Sequence, residues 1–222
     1  MTDTYCPRPY QMFKIKEPKE RQICCSHIRD RVVHHAICRV LDPVFEKRLI
    51  YDTYACLTGK GTHQAIKRAQ VFCRRNPYFL KCDISKFFES IDHARLKELL
   101  ARLIKDKKVM NLLHKIVDHA VPGNKPGKGL PIGNLTSQHF ANLLLGELDL
   151  YVKNELRVVG YVRYMDDFIE FGKSKAVLHQ CLKLIEKFLT ENLEFSLNKK
   201  VEKIAPTTQG VPFLGFRVFS NL

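Results

Sequence analysis

The sequence predicts an α+β fold in which an antiparallel sheet is backed by helices, of the split βαβ type. Three observations predict it. Short β-type runs at residues 78–84, 158–164 and 168–171 alternate with longer segments whose apolar residues have helical spacing. The second and third runs are separated only by Met165-Asp166-Asp167, which makes them a hairpin. The order β-α-α-β-β-α-β suits a sheet with its helices gathered on it rather than a bundle or a barrel.

The elements follow in chain order. Residues 1–29 are polar and basic, with prolines at 7, 9 and 18, and read as loops or extended chain. Asp30 is placed to cap a helix over 31–41, where apolar side chains recur at 33, 36, 37, 40 and 41. Gly59-Lys60-Gly61 breaks the chain, and Thr62 is placed to cap a helix over 64–75. The run at 78–84 ends in the carboxylate Asp83. Helical patterns cover 92–103 and 107–120, and a proline- and glycine-rich loop covers 121–134. A long apolar helix is expected over 135–156. The hairpin lacks the Asn-Gly signal of a tight turn. An amphipathic helix follows over 174–190, then strands at 194–197 and 211–219.

A chain of 222 residues, 45% hydrophobic, buries a core, and one domain is expected. No run spans a bilayer and the first residues do not form a secretory signal, so the expected place is the cytoplasm, with no membrane partner. Lys and Arg number 37 against 23 Asp and Glu, a net charge of +14, and a polyanion such as nucleic acid offsets that self-repulsion. A solvated basic surface is the alternative. The eight cysteines include no C-x-x-C pair, which argues for reduced, buried thiols and against a zinc site. His27, His34, His35 and His63 have no ligand spacing either.

Asp83 and the pair Asp166-Asp167 sit at strand ends among apolar neighbours. A carboxylate there is costly unless paired. A water-solvated turn explains one such acid; two adjacent acids at an apolar hairpin tip favour a bound cation. If the strand bearing Asp83 lies beside the hairpin, three carboxylates converge. Such a set suits two Mg²⁺ ions (Mn²⁺ being a possible substitute) and phosphoryl transfer. Successive strand residues face opposite ways, so Asp166 and Asp167 are not equivalent.

Tyr164-Met165-Asp166-Asp167 resembles the hairpin motif of reverse transcriptases. Lys81-Cys82-Asp83-Ile84-Ser85-Lys86-Phe87-Phe88 is similar to that family's first catalytic motif, and Gly129 through Gln138 (GLPIGNLTSQ) to its template and nucleotide motif. Leu197-Asn198-Lys199-Lys200 and Phe213-Leu214-Gly215-Phe216 resemble the lysine-bearing motif and the primer grip. Arg29 to Val33 and Gly59 to His63 resemble finger segments of bacterial retroelement enzymes. The likeness runs in order over roughly residues 15–220.

The resemblance implies a polymerase palm with partial fingers. About 1–76 are fingers, 77–205 palm with a fingers insertion at about 95–125, and 206–222 the primer grip. It implies RNA-directed DNA synthesis, with template RNA, nascent cDNA and dNTPs as partners. Asp83 and Asp166 are the implied principal metal ligands, with Asp167 secondary and Ile84 beside them. Phe88 takes the place of the steric gate against a ribose 2′-hydroxyl, with a plain core residue as the alternative. Arg21, following Lys14, Lys16 and Lys19, is the implied triphosphate ligand. Lys199 or Lys200 stands where a proton donor to pyrophosphate is expected, with a solvated lysine as the alternative. Gly133 lets backbone approach a base pair, Gln138 joins the nucleotide site, and Phe213, Leu214 and Gly215 form the primer grip.

The middle motif departs from most of the family at Ile132 and Gln138. That variant resembles the reverse transcriptases of diversity-generating retroelements, which copy template RNA with errors directed at adenines. It implies low fidelity through Ile132 and Gln138, since an apolar residue replacing an amide removes hydrogen bonds to the nascent pair. A small basic accessory protein is an implied partner. The family's helical thumb is expected after residue 222 and is absent from this sequence. Group II intron or retron type reverse transcriptase is the related alternative, and a non-catalytic RNA-binding remnant the alternative from another class. An RNA-dependent RNA polymerase is opposed by Phe88.

Overall fold

A computed structural model describes residues 4–16 and 21–221. The chain divides into two compact units. One takes the described residues up to Phe45 together with Lys86–Leu144; the other takes Glu46–Ser85 and the described residues from Leu145 onward.

In the second unit, β3 (Tyr78–Asp83), β4 (Gly160–Tyr164), β5 (Asp167–Gly172) and β6 (Lys203–Pro206) form an antiparallel sheet in the order β4-β5-β3-β6. Side chains alternate across it. One face carries Phe79, Val162, Ile169, Phe171 and Ala205. These pack with Ala65, Ala69 and Phe72 of α2 (Thr62–Arg75) and with the hairpin of β7 (Val211–Phe213) and β8 (Phe216–Val218). The same alternation puts Lys81, Asp83 and Asp167 on this face, at its open end. The other face carries Tyr161, Arg163 and Glu170, all buried. Tyr161 and Arg163 bond to Asp149 near the end of α6 (Leu135–Leu150), and Glu170 meets Cys181 of α7 (Lys175–Phe188).

In the first unit, β1 (Gln11–Ile15) pairs with β2 (Arg21–Cys25), and α1 (Ile28–Glu46), α3 (Phe87–Ser90), α4 (His93–Leu103) and α5 (Lys107–Val117) join the first part of α6. Aspartates start two of these helices: Asp92 accepts from the Arg95 amide at 3.0 Å and Asp106 from the Lys108 amide at 2.8 Å. Cys24, Cys38, Cys73, Cys82 and Cys181 are buried free thiols, as the spacing indicated. No helix among the described residues is long and apolar enough to cross a membrane.

The antiparallel sheet with helices is as expected, but several boundaries are not. Within residues 1–29, read as loops or extended chain, the extended parts Gln11–Ile15 and Arg21–Cys25 pair as β1 and β2, and the exposed Met12, Phe13 and Ile15 lie in this two-stranded ribbon. Asp30 does not cap α1. The helix starts two residues earlier, and the buried Asp30 carboxylate accepts from the Arg8 amide at 3.0 Å. Thr62 is already helical, and Gly61 at φ 111° stands outside it. The 135–156 helix ends as regular α at Leu150 and widens into a π-helical turn at Tyr151–Glu155. Residues 194–197 form no strand, because Glu194 turns left-handed at φ 56°; only Leu197 bridges to Ile84. The expected strand at 211–219 is a hairpin, folded back where Leu214 (φ 51°) and Gly215 (φ 84°) turn left-handed. The edge strand β6 escapes the periodicity because it is short and ends in proline.

Glu170 has a consequence for stability. It is 2% exposed, and its Oε2 has no partner among the described residues. Burial pushes its carboxyl up to about 7, against a bond from the Cys181 thiol. The folded value lies above the unfolded one, so stability is full below about 4.5 and is lost as pH rises towards 7. Glu170→Gln is expected to remove that loss and to gain on the order of 3 kcal/mol at pH 8 over wild type. Urea denaturation at pH 5 and pH 8 measures both slopes.

Candidate active site

The second unit brings two of the three predicted acids opposite one another. Asp83 ends β3 and Asp167 begins β5, and they are register partners in the β3–β5 ladder. Asp166 lies between β4 and β5 in a two-residue turn closed by the Tyr164–Asp167 pair. Met165, the first turn residue, takes φ 55°. Primed hairpin turns put glycine in that region, so Met165 holds a strained backbone.

Each acid is held differently. Asp83 Oδ2 accepts from Asn198 Nδ2 at 3.1 Å, and its carbonyl accepts from the Asn198 amide at 2.8 Å. Ile84 is buried next to it. Asp167 Oδ1 is ion-paired with Lys81 Nζ, and the Leu214 amide also donates to this carboxylate. Burial raises the Asp167 carboxyl, and Asp83 adds to that, while Lys81 and Leu214 pull it down. The Lys81 ammonium also stands 5.4 Å from the centre of the Phe213 ring. Phe213 and Leu214 thus stand beside Lys81 and Asp167, with Gly215 next in the chain.

These donors suit a hard divalent cation. They are carboxylates, with neither thiol nor imidazole among them. Among the described residues no three histidine, cysteine, aspartate or glutamate side chains form a ready-made cage. Mg²⁺ needs none, since it keeps water and phosphate in much of its shell. Asp83 and Asp166 would hold such an ion, whereas Asp167 is already engaged by a lysine.

Lys199 is turned elsewhere. Its ammonium bonds to Glu186 and, at 2.9 Å, to Glu202, and these bonds raise its pKa. A lysine held this way gives up its proton less readily.

The first unit carries the other predicted residues. Phe88 is half-buried, edge-on to Phe87 at 5.3 Å, and its carbonyl accepts from the Leu130 amide at 2.8 Å. The Ile132 carbonyl accepts from the Cys24 amide at 2.9 Å. Gly133 takes φ 118°, and a Cβ there would stand 3.2 Å from the Cys24 carbonyl oxygen. The close approach that needs glycine is therefore to β2. Gln138, Gly133, Phe13, Arg31 and His34 line a cavity of about 440 Å³. Arg21 is exposed at the start of β2, opposite Ile15. Lys14 and Lys16 are exposed in the same region, and Lys19 lies outside the described residues.

Sequence reasoning missed Lys81, Asn198 and the Arg163–Asp149 pair. Lys81 was within reach: two residues before Asp83 on a strand, it shares that acid's face. Asn198 and Asp149 meet their partners only through the fold.

Lys81→Met leaves the half-buried Asp167 carboxylate without its cation. It is expected to destabilise by about 3 kcal/mol, and adding Asp167→Asn is expected to recover most of that loss. Urea denaturation of the two variants and wild type checks the pair.

Comparison with known proteins agrees with this geometry. Residues 14–218 match the family described as reverse transcriptase (RNA-dependent DNA polymerase). Protein YkfC of Escherichia coli is 24% identical over 96% of this chain and 68% of its own length. The group II intron-encoded protein LtrA of Lactococcus lactis is 27% identical over 67% of this chain and 26% of its own length. A telomerase structure from Candida tropicalis, in complex with a fragment of telomeric RNA, superposes with a TM-score of 0.74 at 14% identity. It covers 96% of this chain and 43% of that one, and shows a shared fold. The chain thus spans about a quarter of LtrA and under half of that telomerase chain. Enzymes of the matched family are nucleotidyltransferases that generally depend on divalent metal. With its acids on adjacent strands of an antiparallel sheet and its match running nearly end to end, the chain belongs to the reverse transcriptase family.

Proposed function

We propose that this chain carries out RNA-templated DNA synthesis, joining a primer 3′-hydroxyl to the α-phosphate of a dNTP with release of pyrophosphate. The observation that carries this reading is the register pairing of Asp83 with Asp167, next to the turn that bears Asp166. Two Mg²⁺ ions, or Mn²⁺ in their place, would, when bound, supply activation of the attacking oxygen and charge relief at the leaving one. Asp83 and Asp166 would hold the metal, with the Ile84 backbone beside them, and Asp167 would take a supporting part through Lys81. Phe213, Leu214 and Gly215 hold the primer end. Phe88 excludes a ribose 2′-hydroxyl. Arg21 meets the triphosphate, and Gly133 and Gln138 border the nucleotide. Lys199 serves pyrophosphate only after leaving Glu186 and Glu202.

The net charge of +14 favours template RNA and nascent cDNA as partners. In this reading residues up to about 76 are partial fingers, 77–205 palm with a fingers insertion at about 95–125, and 206–222 the primer grip; the cytoplasm is its place of action. We further infer error-prone synthesis of the diversity-generating retroelement type, supported by Ile132 and Gln138 in the middle motif and served by a small basic accessory protein. The group II intron reading is favoured by the likeness to LtrA.

Primer extension on an RNA template with Mg²⁺ and dNTPs tests the activity. Wild type is expected to extend, and Asp166→Ala to lose about three orders of magnitude in rate. Failure of wild type across primers and partner proteins leaves an RNA-binding remnant. Sequencing the cDNA separates the two retroelement types: errors concentrated at template adenines support the diversity-generating type, and errors spread over all four bases return the reading to the intron type. Phe88→Ala is expected to raise rNTP use relative to dNTP by on the order of ten-fold. An unchanged ratio in competition assays removes Phe88 from the gate.

A further inference from the structure

Behind the acid-bearing turn lies a charge that the chemistry above does not use. Arg163, in β4, is 0% exposed, and so is Asp149. The guanidinium grips this carboxylate with two donors, Nε to Oδ1 at 2.7 Å and Nη2 to Oδ2 at 2.6 Å. Tyr161 donates to Oδ1 at 2.9 Å and Thr53 to Oδ2 at 2.6 Å. The carboxylate is therefore saturated and cannot rotate without breaking four bonds. Main-chain bonds fix the strand as well: the Arg163 amide donates to the Asp52 carbonyl and the Tyr54 amide to the Arg163 carbonyl, both at 3.0 Å.

The remaining guanidinium nitrogen is what gives this pair a second task. Arg163 Nη1 donates to the Met165 carbonyl at 3.0 Å. That carbonyl belongs to the peptide plane shared with Asp166. Its direction sets the direction of the Asp166 amide and so the start of the Asp166 side chain. Met165 sits at φ 55°, a conformation that non-glycine residues hold only when their surroundings enforce it. The Arg163 bond is such an enforcement. The Asp166 charge is also near enough to favour the charged guanidinium.

We propose that Arg163, clamped by Asp149, is a positioning residue that fixes the Met165–Asp166 peptide and thereby aims the Asp166 carboxylate. Resting on the polymerase reading for what Asp166 does, it is a separate claim about how Asp166 is held. A lysine cannot replace this arginine, because one ammonium does not offer a two-point grip on Asp149 together with a third donor to Met165.

The test uses methionine methyl groups. The chain has four methionines, at 1, 12, 110 and 165, and one of them is the turn residue. In ¹³C-methyl-labelled protein, Arg163→Lys is expected to shift or split the Met165 resonance and leave Met12 and Met110 in place. In primer extension the same variant is expected to lose about 100-fold in kcat with an unchanged KM for dNTP, as for a misplaced reacting group. Thr53→Val is the control. It loosens Asp149 yet spares the Met165 bond, so it is expected to lower stability without moving the Met165 methyl. An unmoved Met165 resonance in Arg163→Lys overturns the proposal, and so does an equal movement in Thr53→Val. If Arg163→Lys does not fold, the charge-free pair Arg163→Gln with Asp149→Asn is read by the same resonances, and an unmoved Met165 overturns the proposal there too. Inactive wild type defeats the polymerase reading alone, because the methyl readout needs no turnover.

Discussion

Charge that is buried in this protein is matched at short range, and the architecture of the second unit depends on that matching. Arg163 and Asp149 have no access to water, so each is stable only because the other is there. Replacing the pair with apolar groups is the usual way to gain stability at such a place. Its position gives a reason for keeping it. The pair joins β4 to α6, and through Met165 it reaches the turn where Asp166 sits. A hydrophobic substitute fills the same volume and offers no donor to that carbonyl.

The same rule separates the acids. Asp83 is steadied by the neutral amide of Asn198, which orders the carboxylate without cancelling its charge. Asp167 faces Lys81, which does cancel it. Two acids in register with only one neutralised form an asymmetric pair. That asymmetry sets Asp167 apart from Asp83, its partner on the neighbouring strand. Glu170 is the exception on the opposite face: with Oε2 unpartnered, its carboxyl rises towards neutrality. The contrast between Asp167 and Glu170 follows from what lies opposite each, a lysine in one case and a thiol in the other.

Much of this was legible in the sequence, and the parts that were not share a cause. The short β-type runs at Tyr78–Asp83 and on either side of Met165-Asp166-Asp167 located the strands, because strands buried on both faces write compact apolar runs into the chain. The amphipathic α7 was readable for the same reason, and Ser174 caps it through the Val177 amide. The β1–β2 ribbon was readable only as loop or extended chain: every residue of β1 is exposed, so that strand carries no burial pattern. The partner of Arg163 was not readable, since Asp149 lies in a helix fourteen residues earlier and nothing local marks it. Periodicity reports which side of an element is buried. It is silent about which buried charges meet.

The hairpin itself shows how an absent signal can carry information. A tight turn between two strands favours glycine or asparagine where φ is positive. Met165 is neither, and it takes φ 55° all the same. Local preference therefore disfavours the turn, and something outside it must compensate. The compensation is at hand in the bond from Arg163, anchored by a carboxylate that itself accepts four bonds. A glycine would relieve the strain and also free the peptide to rotate. A side chain that resists rotation, held by a buried cation that forbids it, leaves the following aspartate one direction to point. Where chemistry requires a carboxylate to stay aimed while substrates come and go, strain offset in this way serves better than a relaxed turn.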